Sequence, residues 1–286
     1  MRDRRDRCPG ADRPWPAADG LLVRLRVPGG QIPIRTLRAV AAVAEEYGDG
    51  LVHLTSRANL QVRALPSADG ALRDDVRRAL AATGLLPAPR HELVRNILTS
   101  PATGLAGGMA DLRPLTRALD VALCADPVLA DLPGRFLFVL DDGRGDLVER
   151  QCDLGLVALD DATAQLRVGQ GYGPVVALAD ASTALAELAR RFLTVRGAGT
   201  SAPWHVHELD ATADLAPVTA ADPRLPAPSA PLPFGPGPAG EHREVPEALM
   251  SREFLDALEG DHLVLTPWRG VLLPTPDPIT TQEGSL

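Results

Sequence analysis

Lysine is absent from this chain. All 29 basic residues are arginine, against 37 acidic ones, for a formal net charge of −8 over 286 residues. That acidic balance argues against a general nucleic-acid binder. With many alanines and prolines, the uniform arginine is a compositional bias, so the placement of arginines carries more meaning than their number. Long apolar runs are absent too: nothing approaches the roughly 18 residues of a membrane-spanning helix. The opening "MRDRRDRCPGADRPWP" is charged and has no apolar centre, so neither a secretory signal nor a membrane anchor is expected, and the expected compartment is the cytoplasm. Cysteine is scarce. Cys8, Cys124 and Cys152 stand far apart, with no C-x-x-C pair and no disulfide framework, so reduced, separate thiols are expected.

Three fragments look chemical but lack essential parts. "GQGYG" at residues 169–173 has neither the spacing nor the strand-to-helix context of a dinucleotide fingerprint and reads as a turn. "DDGRGD" at 141–146 lacks the closing glutamate of a calcium loop and reads as the turn of a hairpin. His205 and His207 in "WHVHEL" would share a strand face, but two ligands are too few for a closed zinc site, and no metal is expected.

What is present in quantity is a polar row in step. In "GLVHLTSRANLQVRAL", residues 50–65, strand alternation puts Val52, Leu54, Ser56, Ala58, Leu60, Val62 and Ala64 on one face. The other face carries His53, Thr55, Arg57, Asn59, Gln61 and Arg63. Upstream, "LLVRLRVPGG" alternates Val23, Leu25 and Val27 with Arg24 and Arg26. Between them Ile34, Leu37, Val40, Ala41, Ala44 and Tyr47 keep helical spacing up to Gly48. One helix covers one face of a sheet. If both strands join that sheet, Arg24, Arg26, His53, Arg57 and Arg63 gather on the open face. A solvated face is the plain alternative; guanidinium forks gathered on one face also suit paired bonds to carboxylates.

The length suggests about two domains. Residues 14–67 form the first unit, followed by a helical stretch around Leu72, Val76 and Leu80 that stops at Gly84. A mixed α/β region spans 90–210, with a helix opened by Pro114, a hairpin in "RFLFVLDDGRGDLVE", a strand at "LGLVAL" and a helix through "ALAELARRFL". Residues 211–243 turn to Pro, Ala and Gly, the chemistry of a linker. The last unit, 244–286, echoes the first. Val27-Pro28 and Thr55 are matched by Val245-Pro246 and Thr266, with 28 residues from valine to threonine in the first and 21 in the second. Such duplication implies two units built to pack together.

"DGLLVRLRVPGG", "LTSRANLQVRAL", "VRNILTSP", "LPGRFLFVLDDGRGD" and "LTPWRGVLLP", in this order over residues 8–275, resemble the sulfite and nitrite reductase haemoprotein superfamily, and most closely its precorrin-3B synthase members. The resemblance implies an α+β fold in which two ferredoxin-like half-domains pair pseudo-symmetrically, with an intervening mixed α/β sulfite-reductase-like domain that cradles a tetrapyrrole.

The same resemblance implies where a tetrapyrrole would be held. Arg26, Arg57 and Arg95 lie on motifs whose arginines bind tetrapyrrole carboxylates or face the reacting anion, and Arg24, His53, Arg63 and Arg135 extend that set. His53 stands where reductases carry a further arginine, and Arg135 with Leu137 where they carry two lysines. Those departures argue against sulfite reduction, which needs a dense cationic pocket. The implied function is that of a precorrin-3B synthase-like oxidoreductase of cobalamin biosynthesis, hydroxylating precorrin-3A with dioxygen. No catalytic residue is assigned. Family members hold a 4Fe-4S cluster on four cysteines, and Cys8, Cys124 and Cys152 match none of those ligand motifs. An incomplete enzyme is therefore expected, either truncated or completed by a separate chain carrying the iron-sulfur module and a reductase. A cluster-free tetrapyrrole-binding protein and a fragment of a nitrite or sulfite reductase are the alternatives.

Overall fold

The computed structural model describes residues 8–209 and 214–275. The first unit runs β1 (Trp15–Ala17), β2 (Gly20–Leu25), β3 (Gln31–Pro33), α1 (Ile34–Tyr47), β4 (Val52–Leu54) and β5 (Leu60–Leu65). A small ribbon, β6 (Ser67–Ala68) with β7 (Ala71–Leu72), and α2 (Asp74–Ala82) follow. Helix α1 buries Ile34, Leu37, Val40, Ala41 and Ala44, the positions its spacing marks, against Val23, Leu25, Val52 and Val62 of the sheet. Gly48 ends it, its N–H donating to Ala44 O at 2.9 Å. Residues 50–65 are not one strand, however. They form a hairpin, with Leu54 opposite Leu60 and a turn over Thr55–Asn59. Thr55 Oγ1 draws the chain around by accepting from Asn59 N at 3.1 Å, and Ala58 takes φ +54°.

The central domain contains β8 (Ile97–Thr99), α3 (Arg113–Ala125), β9 (Phe138–Asp141), β10 (Leu154–Ala158), β11 (Thr163–Val168), β12 (Gly171–Ala177) and α4 (Leu178–Arg196). Its sheet has the order β12-β11-β10-β9-β8, and β9 runs parallel to both neighbours. Every residue of β10 is buried, as expected of a strand covered on both faces. One face packs Phe138, Leu140, Leu154 and Leu156 against Leu119 of α3 and Leu185 and Phe192 of α4. The other face sends Leu98 and Val139 into the core of the half-domains. Two sequence expectations are corrected here. "RFLFVLDDGRGDLVE" is one strand and a loop, because Asp141 accepts the N–H groups of Gly143, Gly145 and Leu147 and turns the chain away before a return strand can form. His205 precedes and His207 lies within a 3₁₀ turn, Val206–Glu208, not a strand, and their rings stack at 5.1 Å.

The expected linker is partly built into the fold. Leu215 and Ala216 are buried against the central domain, and the second unit starts at β13 (Gly235–Gly237). It continues with β14 (Gly240–Glu244), β15 (Leu249–Met250), α5 (Arg252–Asp256), β16 (His262–Thr266) and β17 (Gly270–Pro274). The two units exchange strands. Their sheets have the orders β1-β2-β5-β4-β15 and β13-β14-β17-β16-β3, so the short strand after each Val-Pro closes the edge of the other unit's sheet. Ile32 lies opposite Leu263, and Met250 opposite Val52. All four side chains are buried, each contributing roughly 1.5–3 kcal/mol relative to exposure. Neither sheet is complete without the other unit.

The local geometry repeats as well. Gly270 N donates to Thr266 Oγ1 at 3.2 Å across the same four-residue turn as in the first unit, with Arg269 at φ +60° in the place of Ala58. Gly29 and Gly30, at φ +65° and +72°, correspond to Glu247 and Ala248 at +53° and +60°. The second unit thus carries left-handed backbone without glycine, at about 1–2 kcal/mol per residue.

Candidate functional site

The motifs that look separate in sequence are joined by a buried thread of amides. Asn59 Oδ1 accepts from Val27 N at 2.9 Å, and Asn59 Nδ2 donates to Asn96 Oδ1 at 3.3 Å. Asn96 Nδ2 donates to Gly134 O at 2.8 Å. The loop after β2, the β4–β5 turn, the start of β8 and the segment before Arg135 are therefore held at one place.

Arginines converge there. Arg24 faces Gln61 across β2 and β5, and His53 faces Gln61 across β4 and β5, on the side of the sheet away from α1. Arg26 is 1% exposed; its Nη1 donates to Arg24 O at 2.9 Å and to Pro9 O at 3.2 Å. Its Nε and Nη2 have no partner among the described residues. Burial, then the neighbouring Arg24 charge, pushes the Arg26 pKa down to about 10. Arg57 sits in the β4–β5 turn and donates to Arg135 O at 2.9 Å. Burial lowers the pKa of Arg57 and of Arg24, and Arg135 adds to both effects. The Arg135 guanidinium lies 5.8 Å from the centre of the Trp204 ring.

Among the described residues, the carboxylates whose charge reaches Arg26 and Arg57, those of Glu92 and Asp153, are already hydrogen-bonded to backbone. Glu92 accepts from Ala11 N and Asp12 N, and Asp153 from Leu137 N and Val206 N. A buried guanidinium with unmatched N–H groups costs more than the 1–3 kcal/mol of a neutral group, and an anion would remove that cost. A cleft of about 440 Å³, lined by Arg13, Pro133, Gly134, Arg196 and Trp204, opens next to Arg135. Its walls do not include Arg24, Arg26 or Arg57, and the orphaned donors mark the site more directly than the cleft does.

Three of the anticipated residues have other engagements. Arg95 forms a two-point ion pair with Asp120 of α3, 2.7 Å at both Nε and Nη2, and donates to Leu85 O. Arg63 pairs with Asp19 at the sheet edge at 3.1 Å, and His53 with Asp49 at 2.7 Å. Leu137 is buried in the core. Sequence parity placed Arg63 and His53 on the right face, but could not show which carboxylates lie beside them. Asn59, Asn96 and Glu92 escaped notice as functional groups, although the first two lie inside the quoted motifs.

The thiols do not fit a four-cysteine cluster. Cys152 is buried with Sγ 3.7 Å from Gly169 O and its pKa pushed up to about 11. Cys124 lies on α3, its pKa raised by burial and by Asp120, and Cys8 lies near the arginines. Among the described residues no group of three His, Cys, Asp or Glu side chains is placed to hold a metal ion, and no helix is long and apolar enough to cross a membrane.

Residues 16–81 match the nitrite/sulfite reductase ferredoxin-like half domain. The whole fold resembles the structure of the Mycobacterium tuberculosis NirA protein with a TM-score of 0.66 at 17% identity, covering 90% of this chain and 54% of that one. The half-domain match sets the similarity of this chain within the nitrite and sulfite reductase superfamily. Within it, a precorrin-3B synthase of Sinorhizobium sp is 30% identical over 181 residues, 63% of this chain and 37% of the relative. Ferredoxin–nitrite reductases of Synechococcus elongatus and Leptolyngbya laminosa are 32% and 30% identical, over 52% and 48% of this chain and 30% and 28% of theirs. The chain spans about a third of the length of these curated relatives.

Proposed function

We propose that Arg24, Arg26, Arg57 and Arg135 bind the carboxylates of a tetrapyrrole, and that the chain serves a precorrin-3B synthase-like oxidoreductase in which the tetrapyrrole is the substrate of a dioxygen-dependent hydroxylation. The observation that carries this reading is Arg26: a buried cation with two unmatched donors, beside Arg24 and Arg57, has the donor set that carboxylates require. In this role the arginines bind and orient the ligand and neutralise its charge. Arg57 takes one propionate or acetate arm from the turn. Arg24 meets another from the sheet face, and Arg135, over Trp204, borders the cleft where the macrocycle would extend.

The 4Fe-4S cluster of the family supplies electrons when bound, and the thiols of this chain do not suit it, so that part of the reaction is assigned to a separate iron-sulfur module and its reductase. The same disposition of thiols supports a second reading, a tetrapyrrole-binding protein without redox chemistry. Titration with uroporphyrin, an octacarboxylate tetrapyrrole, followed by absorbance, tests the shared claim. Arg57→Ala and Arg24→Ala should each weaken binding about ten- to a hundredfold, from the roughly 1.5–3 kcal/mol of one charged hydrogen bond. Equal affinity in both variants and the parent rejects the site. Iron analysis after anaerobic reconstitution with iron and sulfide separates the two readings.

A further inference from the structure

Residues Cys8 to Asp12 cross the face of Arg26 as a strap. Arg26 Nη1 donates to Pro9 O at 3.2 Å, while Ala11 N and Asp12 N donate to Glu92 Oε2 at 2.7 Å and Oε1 at 3.0 Å. The strap passes close to Glu92 at Gly10, where a Cβ would lie 2.3 Å from Glu92 Oε1 and displace that side chain. Contacts at Pro9, Ala11 and Asp12 therefore anchor the strap beside Arg26, and Cys8, next to Pro9, is 6% exposed. A charge on its sulfur acts on Arg24, Arg26 and Arg57 alike. Independently of the cysteine, Arg26 keeps Nε and Nη2 unmatched beneath the strap, and Glu92 and Asp153 are taken up by backbone N–H groups.

We propose that Cys8 is held as a thiolate by Arg24, Arg26 and Arg57, an internal counter-ion of the cluster and a site of modification by small electrophiles at neutral pH. Two effects compete. Burial disfavours a thiolate, but nearby guanidinium groups can lower a cysteine pKa to roughly 3.5–7.5. Three of them, one with donors that no other group satisfies, decide the balance for the thiolate. Cys124 and Cys152 provide internal contrast, because burial acts on them without such a set of cations and raises both. The proposal stands on the strap and the arginines and does not depend on tetrapyrrole binding.

The test is alkylation of the intact protein by iodoacetamide between pH 5 and 10, with each cysteine followed by mass spectrometry. The thiolate forms a carbon–sulfur bond and iodide leaves, so the rate reports the thiolate fraction. Cys8 should react with a midpoint below about pH 7.5, at least one unit under the roughly 8.5 of a free cysteine. Arg57→Gln or, should that variant not fold, Arg24→Gln should move the midpoint up by half a unit or more. Arg63→Gln, which removes the pair with Asp19, should leave it in place. A midpoint at or above 7.5, no Cys8 adduct below pH 9, or a midpoint indifferent to the cluster substitution overturns the proposal.

Discussion

Asn59 and Asn96 meet side chain to side chain, Nδ2 to Oδ1 at 3.3 Å, at the junction of the first half-domain and the central domain. Asn59→Ala would leave Val27 N–H and Asn96 Oδ1 without these bonds in a buried place. At 1–3 kcal/mol for each of the two unsatisfied groups, the loss should be about 2–6 kcal/mol in urea unfolding. A loss under about 1 kcal/mol would mean that water or a neighbour replaces the amide.

Strand exchange makes Gly30 a second sensitive point. It has φ +72°, and a Cβ there would lie 2.2 Å from Leu265 O of the other unit. Gly30→Ala should lower stability by more than about 2 kcal/mol, since left-handed strain of roughly 1–2 kcal/mol is joined by a backbone clash. Gly84, at φ +78° with nothing within 4 Å, provides the comparison. Gly84→Ala should cost only the strain, and equal losses at both sites would remove the tight unit-to-unit contact from the account.

Arg95 should behave as a structural residue. Arg95→Ala strands Asp120 beside a largely buried position and is expected to cost about 3–5 kcal/mol, with uroporphyrin affinity of the folded protein kept within threefold. A variant of normal stability that binds tenfold more weakly would return Arg95 to the ligand site.

Asp146 links stability to pH. Burial raises its pKa to about 7, and Ser100 Oγ, donating at 2.6 Å, moderates the shift. The unfolded carboxyl loses its proton near pH 4 and the folded one near pH 7, so between these values the folded state binds more protons. Stability from this group is present at low pH and falls as pH rises through that window, by up to about 1.4 kcal/mol per unit. Asp146→Asn should therefore gain on the parent protein as pH rises from 5 to 8 in unfolding experiments. A constant difference across that range would show that the carboxyl titrates normally.

Secondary structure was most legible where one period ran unbroken. The spacing from Ile34 to Tyr47 marks α1, and Leu115, Leu119 and Leu123 mark α3, because each helix buries one stripe against a sheet. Parity likewise placed Arg24, His53 and Gln61 on one face, and it survived the hairpin because Leu54 and Leu60 remain opposite one another. The turn itself was hidden: Ala58 takes a left-handed φ without being glycine, held by Thr55 and Asn59. The loop after Asp141 was misread for a similar reason, since a carboxylate that accepts three backbone N–H groups imitates the strand partner that periodicity anticipates.

The sequence alone determined the two half-units, because their Val-Pro and Thr landmarks recur and short-range geometry follows short-range sequence. It also determined the polar face, because alternation is a local property of strands. Only the tertiary structure decided that β3 and β15 change places, since a three-residue strand carries no record of the sheet whose edge it will close. Likewise only packing separated Arg95, drawn to Asp120, from Arg26, left with unmatched donors under the strap: the charge of a guanidinium is written in the chain, and its partner is set by what folding brings within 3 Å.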